Sequence, residues 1–142
     1  MSTEREFSAG GVVVRGEDCI VIVPLKRSQQ GKRVLALPKG HPDGDESAEE
    51  AATREVREET GVVAELVEPL GDVAYSYQRK GQRVDKRVRF FLFRYVSGST
   101  DDHDHEIEEA RWMPLVEAAQ ALTYRGEREM AARALSRLRA DR

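Results

Sequence analysis

Three glutamates fall within five residues of one another in the run Arg54-Glu55-Val56-Arg57-Glu58-Glu59. On a helix turning about 100° per residue, Glu55, Glu58 and Glu59 project within an arc of roughly 100°. Carboxylates on one face can surround a hard divalent cation with oxygen. The cluster also reads as the solvated face of a surface helix, because 35% of the chain is charged. Against that, Glu55–Glu59 and Glu55–Glu58 are like-charge pairs at i,i+4 and i,i+3, which destabilise an isolated helix. Arg54 offsets part of the repulsion through Glu50 and Glu58. A cation would turn the repulsion into ligation.

The cluster stands at fixed distances from other residues. Gly40 precedes Glu46 by five intervening residues, and seven more lead to Arg54-Glu55-Val56, followed by Glu58-Glu59 and Gly61-Val62. This resembles the signature of the Nudix (MutT-like) hydrolases, Gly-x5-Glu-x7-Arg-Glu-U-x-Glu-Glu-x-Gly-U, with U a bulky aliphatic residue. Every specified position is filled. A match by composition alone is rarer than about one in a million per start position. A lone Glu-Glu-x-x-Glu would carry no such weight.

The elements that must position these residues are legible from pattern. Phe7 to Val14 and Cys19 to Pro24 are apolar runs separated by Arg15-Gly16-Glu17-Asp18, a β-hairpin pattern. Arg33 to Leu37 reads as a short strand stopped by Pro38, and Pro38 to Asp45 as a loop dense in turn formers. Ser47-Ala48-Glu49-Glu50 matches a capping box. The helix it opens should end near Thr60, with Gly61 at C′. Strands are expected over 62–67 and 72–77, and an alternating one from Lys86 to Tyr95 with Val88, Phe90 and Leu92 on one face. Ser97 to His105 reads as a polar loop, Arg111 to Met113 as a last strand, and Pro114 to Leu122 as a helix. Met130, Ala131, Ala134, Leu135 and Leu138 recur at helical spacing and should cover the core. The result is an α/β chain. The resemblance sharpens this to the Nudix fold, a mixed β-sheet sandwiched between α-helices (α/β/α), as one domain over residues 1–142.

Composition bounds the function. The 142 residues suffice for a real core. No run of 18 apolar residues exists, so no membrane span is expected. The acidic start Met1-Ser2-Thr3-Glu4-Arg5-Glu6 does not read as a signal peptide. The single Cys19 excludes an internal disulfide and, with that start, points to the cytoplasm. A net charge of −3 argues against bulk nucleic-acid binding. Any polyanion must be held by local basic residues.

The resemblance implies metal-dependent hydrolysis of a pyrophosphate bond in a nucleoside diphosphate derivative, by water attack at phosphorus. It implies Mg²⁺ as cofactor, with Mn²⁺ as the alternative. Glu55, Glu58 and Glu59 are then the metal ligands, one of them doubling as general base. Gly40 belongs with the metal-site residues, its lack of a side chain allowing close approach. Arg54 orients the glutamates and pairs with Glu46. Lys39 resembles a phosphate-contacting lysine found before the glycine in several Nudix groups. Glu106 is the expected acid from a late loop, with Glu108 and Glu109 as substitutes. Asp101 to His105 reads as a solvated acidic loop.

Specificity rests on thinner signals. Leu37 to Pro42, Tyr75-x-Tyr77 and the stretch from Lys86 resemble the dinucleoside polyphosphate hydrolases. There Tyr77 would stack on a base, and Lys86 with Arg87 and Arg89 would neutralise phosphates. A diadenosine polyphosphate is therefore the expected substrate. The alternatives are an oxidised nucleoside triphosphate such as 8-oxo-dGTP, or a nucleotide sensor without turnover, against which the intact glutamate set counts. Many relatives form homodimers, but sequence alone shows no interface.

Overall fold

Alternation along the strands divides the core into two layers, one on each face of a single mixed sheet. The computed structural model describes residues 3–141, so Met1 and Ser2 of the acidic N-terminal segment lie outside the described residues. The strands are β1 (Glu4–Arg15), β2 (Asp18–Pro24), β3 (Lys39–Gly40), β4 (Val62–Arg79), β5 (Gln82–Gly98) and β6 (Ile107–Pro114). The helices are α1 (Ala48–Thr60), α2 (Leu115–Ala121) and α3 (Arg125–Ala140). Strand order is β4-β5-β1-β2-β6, with β3 paired to β1. The β1–β5 pair is parallel and the other pairs are antiparallel.

On one face Val12, Val88, Phe90, Leu92 and Met113 pack against Leu115, Ala118, Met130 and Ala134 of α2 and α3. On the other, Val13, Ile20, Phe91 and Phe93 pack against Ala51, Ala52 and Val56 of α1. The period-2 alternation of β5 thus feeds both layers, and the α/β/α sandwich follows. Cys19 lies in the first layer, fully buried, and burial pushes its thiol pKa up to about 12. Among the described residues no helix is long and apolar enough to cross a membrane.

Four local expectations need correction. Arg33 to Leu37 is not a strand; it holds only an isolated bridge between Ala36 and Ile22. The β1–β2 ladder has just two registered pairs, Val14–Cys19 and Arg15–Asp18. Beyond them the segment 36–40 bonds to both neighbours: Ala36 to Ile22 of β2, the Pro38 carbonyl to the Gly11 N–H of β1, and Lys39–Gly40 to β1. A segment shared between two strands, with a proline that cannot donate, cannot run as a regular strand along either. Gly40, expected in a loop, is consequently sheet-bonded. The two strands expected over 62–77 are one long β4, bent by three register shifts against β5. Finally, β5 runs on to Gly98, so the expected loop shortens to a 3-10 turn over Thr100–Asp102 and its flanks.

Candidate active site

The helix α1 starts and stops where local chemistry dictates. Ser47 Oγ accepts the Glu50 N–H at 3.1 Å, and Glu50 Oε1 accepts the Ser47 N–H at 2.9 Å. Gly61 closes the helix in the left-handed conformation (φ 81°), its N–H donating to the Arg57 carbonyl. Glu55, Glu58 and Glu59 thereby occupy the last two turns.

Arg54 organises the carboxylates. Its Nε and Nη2 donate to Glu46 at 2.8 and 3.0 Å, and Nη1 donates to Glu55 at 2.8 Å and Glu58 at 3.1 Å. Nη2 also donates to the His41 carbonyl at 3.0 Å, which ties the helix to the loop after Gly40. The guanidinium holds the Glu46 carboxyl below the usual carboxylate range. The expected Arg54–Glu46 pairing is thus present.

Gly40 is there because of Glu55. A Cβ built on Gly40 would stand 2.2 Å from Glu55 Cδ. Any side chain would displace the carboxylate. Burial raises the Glu55 pKa, with Arg54 working against it and Glu58 adding repulsion. Glu59 is pushed further, to about 8, by burial first and by Glu55 and Asp104 besides. The Lys39 N–H, bonded to Glu59 Oε1 at 2.8 Å, offsets only part of this. Glu58 is the exposed member.

The donor chemistry suits a hard cation: two acids whose burial disfavours their anionic forms, a third carboxylate beside them, and a glycine leaving space at Glu55. Glu55, Glu58 and Glu59 would hold it, and Gly40 would admit it. As they stand, no three Asp, Glu, His or Cys side chains among the described residues already converge on one point. Arg54 engages Glu55 and Glu58 instead.

A cleft of about 870 Å³ opens beside this cluster and includes Lys39 in its lining, with Tyr75, Tyr77, Lys86 and Tyr124 around it. Lys39, Tyr77 and Lys86 therefore come together as the sequence suggested. Their states differ. Tyr77 is engaged through its hydroxyl by Glu6, with Arg79 alongside. Tyr75 and Tyr124 each leave 45% of their surface exposed. Lys86 is half-buried; burial and the nearby Lys39 and Lys26 charges lower its pKa. Burial opposes the Lys39 ammonium as well, yet Glu127 holds its pKa above the ordinary value. Arg87 and Arg89 are both clasped by Asp72, at 3.2 and 3.0 Å, and do not join Lys86 as free phosphate partners.

The late loop carries two acids beside this region. Glu106 is exposed, with its backbone N–H on Asp104 Oδ1. Asp104 is the loop carboxylate that bears on Glu59, brought there by its N–H bond to the Glu58 carbonyl at 2.9 Å. Glu108 is spent on Arg27 and Arg33, and Glu109 pairs with Arg111. Sequence reasoning missed Glu127, whose only signal was an acid on the buried stripe of α3, three and four residues before Met130 and Ala131.

Comparison with known proteins places this geometry. The NUDIX domain model matches residues 5–134. A protein of Mycobacterium tuberculosis, "Putative mutator protein MutT4", is 38% identical over 92% of this chain. An "8-oxo-(d)GTP phosphatase" of Mycolicibacterium smegmatis is 33% identical over 72% of it. The chain spans 55% of the first and 30% of the second. Among solved structures, a Caenorhabditis elegans Ap4A hydrolase in a binary complex superposes with a TM-score of 0.69, covering 95% of this chain and 98% of its own at 19% identity.

Proposed function

The chain belongs to the NUDIX domain family, and from that premise we propose that it hydrolyses a pyrophosphate bond in a nucleoside diphosphate derivative, first of all a diadenosine polyphosphate. The observation that carries this reading is one cleft that joins the glutamate cluster, through Lys39, to two exposed tyrosines. Residues 1–142 are read as one such domain.

Nudix hydrolases need divalent cations, here Mg²⁺ or Mn²⁺, which would neutralise phosphate charge and acidify a water at Glu55, Glu58 and Glu59. The chain's own residues do the rest. Arg54 fixes Glu55, whose burial-raised pKa suits it to take the proton of the attacking water. Asp104, whose charge bears on Glu59, joins Glu106 as a candidate late-loop acid. Lys39 and Lys86 meet the phosphate chain, and the anhydride oxygen leaves with its electron pair. A base would rest on Tyr75 and Tyr124, which stay exposed in the cleft lining, while the Tyr77 hydroxyl is taken by Glu6.

A second reading, removal of oxidised nucleoside triphosphates, is favoured by the M. smegmatis relative. A panel of diadenosine polyphosphates, 8-oxo-dGTP and ADP-ribose, run with Mg²⁺ and Mn²⁺ and followed by product analysis, decides between them. The highest kcat/KM on a diadenosine polyphosphate is expected. A higher value on 8-oxo-dGTP would replace the first reading with the second. No turnover with either metal would leave a nucleotide sensor.

A further inference from the structure

The last helix supplies one carboxylate of the cleft lining, Glu127, to which the proposed chemistry gives no role. Glu127 sits in the first turn of α3 with 4% of its surface exposed. Its Oε1 accepts the Leu37 N–H at 2.7 Å, and Oε2 pairs with Lys39 Nζ at 2.8 Å. The Lys39 backbone N–H meanwhile donates to Glu59. The tripeptide Leu37–Lys39 is therefore strung between α3 and α1. A carboxylate buried on an apolar stripe persists only with its charge and lone pairs met. Here one short segment meets both.

We propose that Glu127 is a positioning residue, which holds the Lys39 ammonium in one orientation at the cleft and in doing so weakens its attraction for a resting phosphate. The inference rests on reading Lys39 as a phosphate contact of the proposed hydrolysis. An anion beside Lys39 opposes the approach of a second anion. Without it, the four-carbon stem would bind phosphate more tightly but from many rotamers. Rate depends on interactions stronger in the transition state than in the ground state, and on orientation. Glu127 thus exchanges ground-state affinity for placement.

The test compares the full chain with its Glu127→Gln, Lys39→Met and doubly substituted variants, all with Mg²⁺. Glutamine keeps an acceptor for the Leu37 N–H, while its NH2 cannot accept from the Lys39 ammonium, so the charge and the pairing are lost together. Calorimetry reads the affinity for inorganic tripolyphosphate, and kinetics on the best panel substrate read kcat and KM separately. Glu127→Gln is expected to tighten tripolyphosphate binding roughly threefold and lower kcat about tenfold, and to change neither in the Lys39→Met background. Weaker binding, or equal effects in both backgrounds, would overturn the proposal and leave Glu127 a packing role. Should Glu127→Gln fail to fold, Glu127→Asp keeps the charge on a shorter arm; it should lower kcat without tightening binding, and an unchanged kcat would overturn the proposal. A wild-type chain that binds tripolyphosphate but turns over no nucleotide would instead refute the hydrolase reading, and the affinity comparison would still decide the pairing.

Discussion

Replacing Glu59 by glutamine should make the metal-free protein more stable at alkaline pH while removing its activity. Burial moves the Glu59 pKa from 4.5 to about 8 in the folded chain. Between those values the folded state holds a proton that the unfolded state has lost, so stability falls as pH rises through the window. The contribution is fully present below pH 4.5 and gone above about 8. At about 1.4 kcal/mol per pKa unit, the full displacement corresponds to roughly 5 kcal/mol, and partial solvent contact reduces this to about 2–4. Glutamine keeps an acceptor for the Lys39 N–H and carries no charge to desolvate. Thermal and urea unfolding in EDTA across pH 4 to 9 would measure the effect. The wild type should lose stability with rising pH, the variant should lose less, and the two should converge near pH 4. Mg²⁺ or Mn²⁺ should restore the wild type alone, by about 2.7 kcal/mol at a hundred times the dissociation constant. A variant no more stable than wild type at pH 9 would refute the claim that Glu59 is held as a disfavoured anion.

Four further outcomes are expected. Glu58→Gln should lower kcat by at least about a hundredfold with the fold intact, since glutamine suits a helix; near-wild-type turnover would remove Glu58 from the metal set. Gly40→Ala should keep its circular dichroism spectrum, because the far end of the Glu55 side chain can yield, yet lose most activity as that carboxylate is displaced. Tyr75→Ala should raise KM for a dinucleotide more than affinity for tripolyphosphate changes, whereas Tyr77→Phe should alter KM little; the reverse order in steady-state kinetics would return the stacking role to Tyr77. Ser47→Ala should cost about 1 kcal/mol in urea unfolding through loss of the cap.

What could be read from the chain alone is what depends on neighbours in sequence. The capping box, the Gly61 terminus and the face shared by Glu55, Glu58 and Glu59 are settled by helical spacing within one segment. The alternation that sets Val88, Phe90 and Leu92 on one face foretold the strand, whereas the burial of Phe91 and Phe93 on its other face came from the fold. The family pattern needed only fixed spacing too, so the signature from Gly40 to Val62 was legible in full. Contacts between distant segments were not. Whether Glu106 or Asp104 reaches Glu59 depends on how the loop after β5 docks on the end of α1. Tyr75 and Tyr77 lie on one face of β4, and only Glu6 on another strand distinguishes the engaged ring from the open one. Arg87 and Arg89 read as phosphate partners until Asp72 on the adjacent strand claims them. Glu127 meets Lys39 across 88 residues of chain. The sequence by itself determined the α/β class and the helix that carries the three glutamates, because those follow from periodicity and spacing, and the resemblance to a known family supplied the sandwich. Tertiary structure decided which charged and aromatic side chains remain available to a substrate, because an ion pair or hydrogen bond forms with whatever the fold brings within reach.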